Sequence, residues 1–475
     1  MGVGNQTTGL LHLRIFDSRS KNNLGLLVVM LSLAARRTTT RCHRPYPYRI
    51  LHRTVFSEFL AAARQILRGD DHVNPKKKLE RRYLYASLLA CAVREARLQA
   101  DSTVDPEQIF EETFVDLEKK DFDAMPNVDL RFELQQLLNP QIQHMFRTIH
   151  AVDQTIGVPA AENEGVVNDG NRETCRDVLL EELNHTQQQL HATSASLEDE
   201  RKFFATKTSA LEMLLRFNGW SCSSQSKSEE SNLQSGLDPF GMVPIQSTSK
   251  LELVRQHQTL NLCRSALIRR KLGFSVICLR STIAGRGLFI DGKTMAGSLV
   301  ALQPGDIWPK EHLITTAPDV MEHFAGDDDD CHISLRFDDY VVDSRAAPVT
   351  VLSQEGSLHP FGLAHMANHT GGGGALPNVQ STMFDYTAKT FPDTKLASYI
   401  PNSYARTPTW QSRFFDREET VMHGLGLVSR RDVSNEELTY DYRLQSETPP
   451  AWYSVVKYED GLEKDQVVFF RDDWR

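Results

Sequence analysis

The stretch that decides the fold reads Glu-Leu-Thr-Tyr-Asp-Tyr and occupies residues 437–442, near the end of the printed chain. Its apolar and aromatic side chains alternate with polar ones, and a run of small and apolar residues from Gly424 to Val433 leads into it. Alternation of this kind is typical of a strand with one buried face. A core strand with a purely structural role would also bury these aromatic rings, so the segments that accompany the strand decide its interpretation.

A glycine-containing turn lies well upstream of this strand. Residues 281–289 read Ser-Thr-Ile-Ala-Gly-Arg-Gly-Leu-Phe, and a Pro304-Gly305 turn follows them. Taken alone, Gly285 and Gly287 indicate a plain β-hairpin. Glycine also leaves the backbone open, so a ligand's carboxylate and amine can approach main-chain groups. The turn is therefore a candidate ligand site.

The third segment, residues 368–378, reads Asn-His-Thr-Gly-Gly-Gly-Gly-Ala-Leu-Pro-Asn. A surface turn would explain Asn368-His369, but an amide also suits ligand binding because it can both donate and accept. The insert from Gly371 to Gly374 is expected to be flexible and to bulge out without bending its flanks. The segment therefore offers a second candidate ligand site.

Along the chain, the glycine turn comes first, then the Asn-His segment, then the 437–442 strand. In that order the three segments resemble a SET domain, the catalytic fold of most protein-lysine methyltransferases. Residues 271–276 and 396–402 look like the SET-domain-containing protein 9 family in particular. The resemblance covers residues 271–443 and implies S-adenosylmethionine as the cofactor. It also implies that the 437–442 strand passes the Asn-His segment in a knot-like crossing. The glycine insert separates Asn368-His369 from Pro377-Asn378 by more residues than in most SET domains.

The resemblance implies a role for each site residue. Tyr442 would be the catalytic tyrosine beside the transferred methyl group, and Tyr440 would line the lysine end of the channel. A lysine ammonium must lose its proton before it attacks, and a narrow apolar channel favours that loss by lowering the amine pKa. The residues expected to hold the cofactor are Gly285, Arg286, Gly287, Asn368, His369 and Tyr442.

Composition excludes some classes of protein. The 475 residues carry a net charge of −9, which argues against a nucleic-acid binder driven by bulk electrostatics. The seven cysteines include no Cys-x-x-Cys clip for zinc, and their wide spacing fits free thiols in a reducing compartment. No cysteine follows Cys331, so the zinc cluster that many SET enzymes add after the last motif is not expected.

The N-terminal residues 1–54 carry nine Lys and Arg against one acid, Asp17. Within them, Leu24 to Ala35 is a mostly apolar run that is too short to span a bilayer. The run fits a signal-peptide core, a mitochondrial transit peptide, or an extension ahead of a start at Met30. We expect a nuclear or cytoplasmic protein, with mitochondrial targeting as the alternative.

The middle of the chain is predicted to be helical. Apolar residues recur at spacings of three and four within 55–150, with Pro126 as a break. Residues 151–172 and 221–250 have the composition of linkers. In 173–220 an apolar residue recurs every seventh position, which predicts either a dimerising coiled coil or a helix packed on its own domain by one stripe. These residues are Leu183, Leu190, Leu197, Phe204 and Leu211.

Residues 251–445 are predicted to form the SET domain with a lead-in helix, because short β-type runs separated by Gly, Pro and Asp follow that helix. The predicted fold class is α+β, a mostly β domain behind a helical region. Residues 446–475 form an aromatic tail, which either completes the lysine channel as a flap or packs on the domain surface. The run Asp327–Asp330 is expected to be a solvated loop.

The sequence thus predicts an S-adenosylmethionine-dependent protein-lysine N-methyltransferase. Its partner would be a histone or other protein with an accessible lysine, without direct nucleic-acid binding and without a membrane span. The alternative is a catalytically inactive SET scaffold that binds a protein partner. The glycine insert at 371–374 favours the scaffold, and the intact Tyr440-Asp441-Tyr442 favours the enzyme.

Overall fold

Helices and strands occupy separate parts of the chain. A computed structural model describes residues 75–100, 104–119, 125–157, 169–194, 196–220, 248–309, 312, 332–345, 359–370, 376–391, 394–408 and 420–442. Within these residues, the helices that precede the first strand are α1 Pro75–Gln99, α2 Pro106–Glu118, α3 Asn127–Ile156, α4 Asp169–Ala192, α5 Glu198–Phe217 and α6 Thr248–Leu272. A short helix between strands, α7, spans Thr394–Ala397.

The strands begin immediately after α6. They are β1 Phe274–Arg280, β2 Arg286–Thr294, β3 Leu299–Leu302, β4 Gly305–Trp308, β5 Ile333–Leu335, β6 Val341–Asp343, β7 Asn368–His369, β8 Val379–Thr387, β9 Asn402–Tyr404, β10 Thr420–Ser429, β11 Val433–Ser434 and β12 Glu437–Tyr440. A 3-10 turn at Ala364–Met366 precedes β7. The structure thus has short strands after the lead-in helix, as the sequence predicted.

The strands form three small sheets. The first has the order β1-β2-β12-β7, with β11 also paired to β2; the second is β3-β10-β8; the third is β5-β6-β4-β9. Two of the pairs are parallel, β12 with β7 and β4 with β9. The predicted α+β fold class is confirmed, because a helical N-terminal region precedes a part of the chain that is rich in mixed sheets.

The helices pack directly on the sheets and share one core with them. In α3 an apolar stripe at intervals of four includes Leu130, Leu134, Leu138 and Ile142, and all four are buried. The α3 residue Gln141 donates to the carbonyl of Gly297 at 3.1 Å and accepts from the amide of Leu299 at 2.8 Å. The helical region is therefore part of the same compact unit as the sheets, residues 71–475.

The seven-residue stripe predicted for 173–220 is divided between two helices. The chain leaves α4 after Ala192 and begins α5 at Glu198, and Leu197 lies at the break with 52% of its surface exposed. Leu183, Phe204 and Leu211 are buried within the chain. In the described structure these three residues contribute to the core of their own chain, as in the second of the two arrangements that the spacing allowed, and a dimer through 183–211 stays a prediction.

A buried group of charges joins these helices to β2. Lys207 of α5 donates to Glu182 of α4 at 2.6 Å and to Asp291 of β2 at 2.7 and 2.8 Å. Arg269 of α6 completes the group by contacting Glu182 at 2.7 Å. Burial alone would raise the pKa of Glu182, but Lys207 and Arg269 outweigh it and lower the pKa to about 2. The helical region is thus ion-paired to the strand that begins at Arg286.

Several predicted segments are shifted or lie outside the described residues. Helix α3 continues to Ile156 and α4 begins at Asp169, so both helices extend into the predicted 151–172 linker; α6 likewise begins at Thr248. The basic N-terminus, the Asp327–Asp330 run, the glycine insert and the aromatic tail lie outside the described residues. No helix in the described part of the chain is both long enough and apolar enough to cross a membrane.

Candidate functional site

The candidate site forms where β12 lies between β2 and β7. Glu437 and Leu438 pair antiparallel with Phe289 and Leu288 of β2. On the other edge, Thr439 and Tyr440 pair in parallel with Asn368 and His369 of β7. The three segments singled out in the sequence therefore meet at one point, with the pairing that a crossing of the 437–442 strand past the Asn-His segment requires.

Asn378 fixes β12 from a further side. Its side-chain amide donates to the carbonyl of Glu437 at 2.7 Å and accepts from the amide of Thr439 at 2.8 Å. The buried Arg430 donates to the carbonyl of Pro377 at 2.7 Å and holds this segment in place. Pro377-Asn378 therefore lies beside β12 despite the long glycine insert that precedes it.

The carboxylate of Glu437 joins the glycine turn to the Asn-His segment. Its Oε1 accepts from Asn368 Nδ2 at 2.7 Å, and its two oxygens accept from Ser281 Oγ at 2.7 and 2.9 Å. Burial raises the pKa of Glu437, while the hydrogen bonds from Asn368 and Ser281 act in the opposite direction. A half-buried carboxylate thus lies at the centre of the candidate site.

Gly287 provides the room for this carboxylate. A Cβ added at Gly287 would collide with the Glu437 carboxylate, 2.7 Å from its Cδ, and would lie 3.1 Å from Asn368 Nδ2. Gly285 has a different reason to be glycine. Its φ of +46° is in the left-handed region, but a Cβ there would have no atom within 4 Å. Gly287 is therefore required because a side chain would not fit there, and Gly285 because of its backbone conformation.

Ser281 orders the turn itself. Its hydroxyl oxygen accepts from the amides of Ile283 at 2.8 Å and Ala284 at 3.3 Å, while its hydrogen is directed at Glu437. The amide of Ser281 also donates to the carbonyl of Gly285 at 3.0 Å. The conformation of the turn is therefore connected to Glu437 through one hydroxyl group.

Asn368 has more acceptors around its nitrogen than it has hydrogens. Besides Glu437 Oε1, its Nδ2 lies 3.1 Å from the carbonyl of Arg286 and 3.3 Å from that of Ala284. An amide nitrogen carries two hydrogens, whereas an ammonium carries three. All three neighbours are acceptors, so the amide must direct its nitrogen and not its oxygen towards them. Two backbone carbonyls and a carboxylate at one point suit the ammonium group of an amino acid.

The two tyrosines lie close together at the end of β12. Their ring centroids are 4.8 Å apart with the planes inclined at 50°. Tyr442 donates from its hydroxyl to the carbonyl of Ala367 at 2.9 Å. The ring of His369 lies 5.4 Å from that of Tyr442, and His369 Nδ1 is 3.3 Å from the carbonyl of Tyr440. Both tyrosines are therefore held against the Asn-His segment.

The structure also places a buried histidine next to the site. His365, in the 3-10 turn before β7, is 3% exposed, and neither of its ring nitrogens has a hydrogen-bond partner among the described residues. Burial, with His332 and Arg286 nearby, lowers the pKa of His365 to about 3, so its ring is neutral at pH 7. The rings of His365 and His332 are 5.6 Å apart.

All the site residues predicted from the sequence lie in this region, and their roles remain predictions. Gly285, Arg286 and Gly287 lie on the turn and the start of β2; Asn368, His369, Tyr440 and Tyr442 lie on β7, on β12 and just beyond it. Sequence reasoning gave no role to Ser281, His365 or Glu437. Glu437 was part of the quoted motif. Successive side chains of a strand point to opposite faces, so its position one residue before Leu438 was a sign that it lies on the face opposite to Leu438 and Tyr440.

Comparison with known proteins adds little to this geometry. No protein-family model and no curated protein matches the chain. Among solved structures, the chain is similar to the crystal structure of CpSET8 from Cryptosporidium, with 12% sequence identity and a TM-score of 0.21. That alignment covers 51% of this chain and 98% of the other. Similarity at this level defines neither the family nor the activity of this chain.

Proposed function

We propose that this chain is a protein-lysine N-methyltransferase of the SET-domain class that uses S-adenosylmethionine. The observation that supports it most is the position of β12 between β2 and β7, which brings Gly287, Asn368 and Tyr442 to one place. Within this class, the sequence resemblance favours the SET-domain-containing protein 9 family. The substrate would be a protein with an accessible lysine.

The residues present fit the cofactor's amino-acid portion. The carbonyls of Ala284 and Arg286 and the carboxylate of Glu437 surround the amide nitrogen of Asn368. An α-ammonium can donate to the two carbonyls, while Asn368 supplies an amide that accepts as well as donates. When bound, S-adenosylmethionine would supply a methyl group on a positively charged sulfur. Gly285, Arg286, Gly287, Asn368 and His369 would form its binding site.

Tyr442 would orient the substrate amine. Its hydroxyl donates to the carbonyl of Ala367, which directs the phenolic oxygen, and a phenolic oxygen can accept a hydrogen bond from a neutral lysine amine. Tyr440, whose ring centroid is 4.8 Å from that of Tyr442, would narrow the same channel. The protein would contribute alignment and exclusion of water, and the lysine proton would leave to solvent before attack.

Activity in a complex mixture is the direct test of the proposed function. The full-length protein is incubated with a cell lysate and S-adenosylmethionine that carries a labelled methyl group, and labelled proteins are identified by mass spectrometry. We expect label on lysine side chains with the wild-type protein and its loss with Tyr442→Phe. Equal labelling with both proteins would contradict the assigned role of Tyr442. No labelling by folded wild-type protein would favour the inactive scaffold.

A further inference from the structure

We propose that Glu437 positions both halves of the cofactor site, the 281–285 turn and Asn368, and that its carboxylate selects ligands that carry a free α-amino group. This inference rests on the proposed function, because it assigns a further residue to the same site. It concerns a positioning residue, since Glu437 acts through Ser281 and Asn368.

The first step is the connection to the turn. Ser281 has one hydroxyl hydrogen, and both oxygens of Glu437 lie within 2.9 Å of that hydroxyl. With its hydrogen engaged there, Ser281 presents its oxygen to the amides of Ile283 and Ala284. The carbonyl of Ala284 that lies near Asn368 belongs to the same turn. Loss of the carboxylate would free the Ser281 hydroxyl to rotate, and the carbonyls of the turn would lose their fixed direction.

The second step is the orientation of Asn368. Of its three acceptors, Glu437 Oε1 is the nearest, at 2.7 Å, and a hydrogen bond to a carboxylate is stronger than one to a neutral carbonyl. An incoming ammonium would compete for the carbonyls of Ala284 and Arg286, which are the longer contacts. Asn368 would then keep its bond to Glu437 and present its oxygen to the ammonium. Without Glu437, the amide could turn over and present its nitrogen.

The third step is charge. The Glu437 carboxylate lies where the carbonyls of Ala284 and Arg286 converge, so it places a negative charge close to any group bound by those carbonyls. A cationic α-amino group is attracted to that charge, whereas a ligand with a hydrogen at the same position gains no attraction from the carboxylate and no hydrogen bond to either carbonyl. The site should therefore bind a ligand with an α-amino group more tightly than the same ligand without it, even though both carry the adenosine group.

Binding measurements with two ligands test this inference. The full-length chain is titrated with S-adenosylhomocysteine and with the analogue that lacks only the α-amino group. We expect the wild-type protein to prefer the amine by about tenfold or more, and Glu437→Gln to prefer it by about twofold at most. Glu436→Gln is the matched control. It removes the neighbouring carboxylate, which pairs with Arg431 at 2.6 Å, and should keep the wild-type preference.

A pH series separates positioning from a purely structural role. Burial raises the pKa of Glu437 in the free protein, so affinity should be full above that pKa and should fall as the pH drops through it. Ser281→Ala removes a hydrogen bond to the carboxylate and should move this loss to higher pH. Glu437→Gln should abolish it. Arg286 and Glu437 both act on the nearby thiol of Cys278, and burial raises the pKa of that thiol to about 11. Dependence on pH that persists unchanged in Glu437→Gln would overturn this role of Glu437.

The outcomes distinguish this inference from the proposed function. A full amine preference in folded Glu437→Gln, combined with weak binding in Asn368→Ala, would overturn the role of Glu437 and leave the proposed function in place. A wild-type protein that binds neither S-adenosylhomocysteine nor S-adenosylmethionine would overturn both. If Glu437→Gln fails to fold by circular dichroism, Ser281→Ala decides, and a pH profile identical to wild type would overturn the inference.

Discussion

The hydroxyl of Tyr442 donates a hydrogen bond to the carbonyl of Ala367 at 2.9 Å. Ala367 is the residue immediately before Asn368, so one hydrogen bond connects the end of the 437–442 segment to the start of β7. This contact fixes the direction of the phenolic oxygen. It is the structural basis for assigning Tyr442 to the substrate amine.

Replacing Tyr442 with Phe should separate catalysis from folding. The variant keeps the ring, which lies 5.4 Å from that of His369, and loses only the hydroxyl. We expect turnover to fall about a hundredfold or more, because the amine loses the group that orients it. Stability should fall by only about 0.5–1.5 kcal/mol, the usual contribution of one hydrogen bond. Methyl transfer at the wild-type rate by a folded variant would show that Tyr442 has no part in the reaction.

Replacing Tyr440 with Phe should change the product and not only the rate. Tyr440 is paired with His369 of β7, and its ring lies close to that of Tyr442. A hydroxyl at this position occupies volume in the channel, so we expect wild-type protein to stop at mono- or dimethyl-lysine. The variant should shift towards a higher methylation state. Mass spectrometry of a methylated substrate measures this, and trimethyl-lysine as the main wild-type product would contradict it.

Alanine substitutions at the two turn glycines should have different consequences. In Gly287→Ala the new methyl group would collide with the Glu437 carboxylate, which should displace Glu437 and greatly weaken binding of S-adenosylmethionine. In Gly285→Ala the methyl group meets nothing within 4 Å, and the cost is the left-handed φ, about 1–2 kcal/mol of stability. Calorimetric affinities and melting temperatures of both variants decide this. Equal losses of affinity would contradict the steric role of Gly287.

The buried charges behind β2 should matter for stability. Lys207→Met removes the buried cation that contacts both Glu182 and Asp291 most closely and leaves only Arg269 beside them, so we expect it to cost about 3–5 kcal/mol. Lys202→Met is the control on the same helix, because the exposed Lys202 pairs with Glu198 on the surface and its loss should leave stability nearly unchanged. Urea unfolding measures both. A Lys207 variant as stable as the control would show that this group of charges is not coupled to the fold.

The local pattern of the sequence predicted the strand that decides the fold, and the resemblance predicted one of its neighbours, the Asn-His segment. The alternation in 437–442 indicates a strand, but it carries no information on which strands lie at its two edges. The pairings of Thr439 with Asn368 and of Leu438 with Leu288 join residues far apart in the chain. Such register depends on tertiary packing, so it required either a known family or a structure.

The central helices show a second limit of local reasoning. The seven-residue spacing predicted an apolar stripe, and Leu183, Phe204 and Leu211 of it are buried within the chain, but the pattern could not tell whether a second chain or its own domain covers them. The break after Ala192 had a signal that was not used. Glu198, Asp199 and Glu200 form an acidic first turn, which is typical of a helix N-terminus. The role of Glu437 had no such signal, because its partners Ser281 and Asn368 are distant in sequence.

Binding of S-adenosylmethionine to the full-length protein, measured by isothermal titration calorimetry, tests the central claim most directly. We expect one site per chain in the wild-type protein. Asn368→Ala should weaken the binding free energy of S-adenosylmethionine by about 1–3 kcal/mol, because polar groups in the site lose their partner. Circular dichroism must show that both proteins are folded. No heat with the folded wild-type protein would contradict the claim that this is a cofactor site, and unchanged affinity in Asn368→Ala would contradict the place assigned to it.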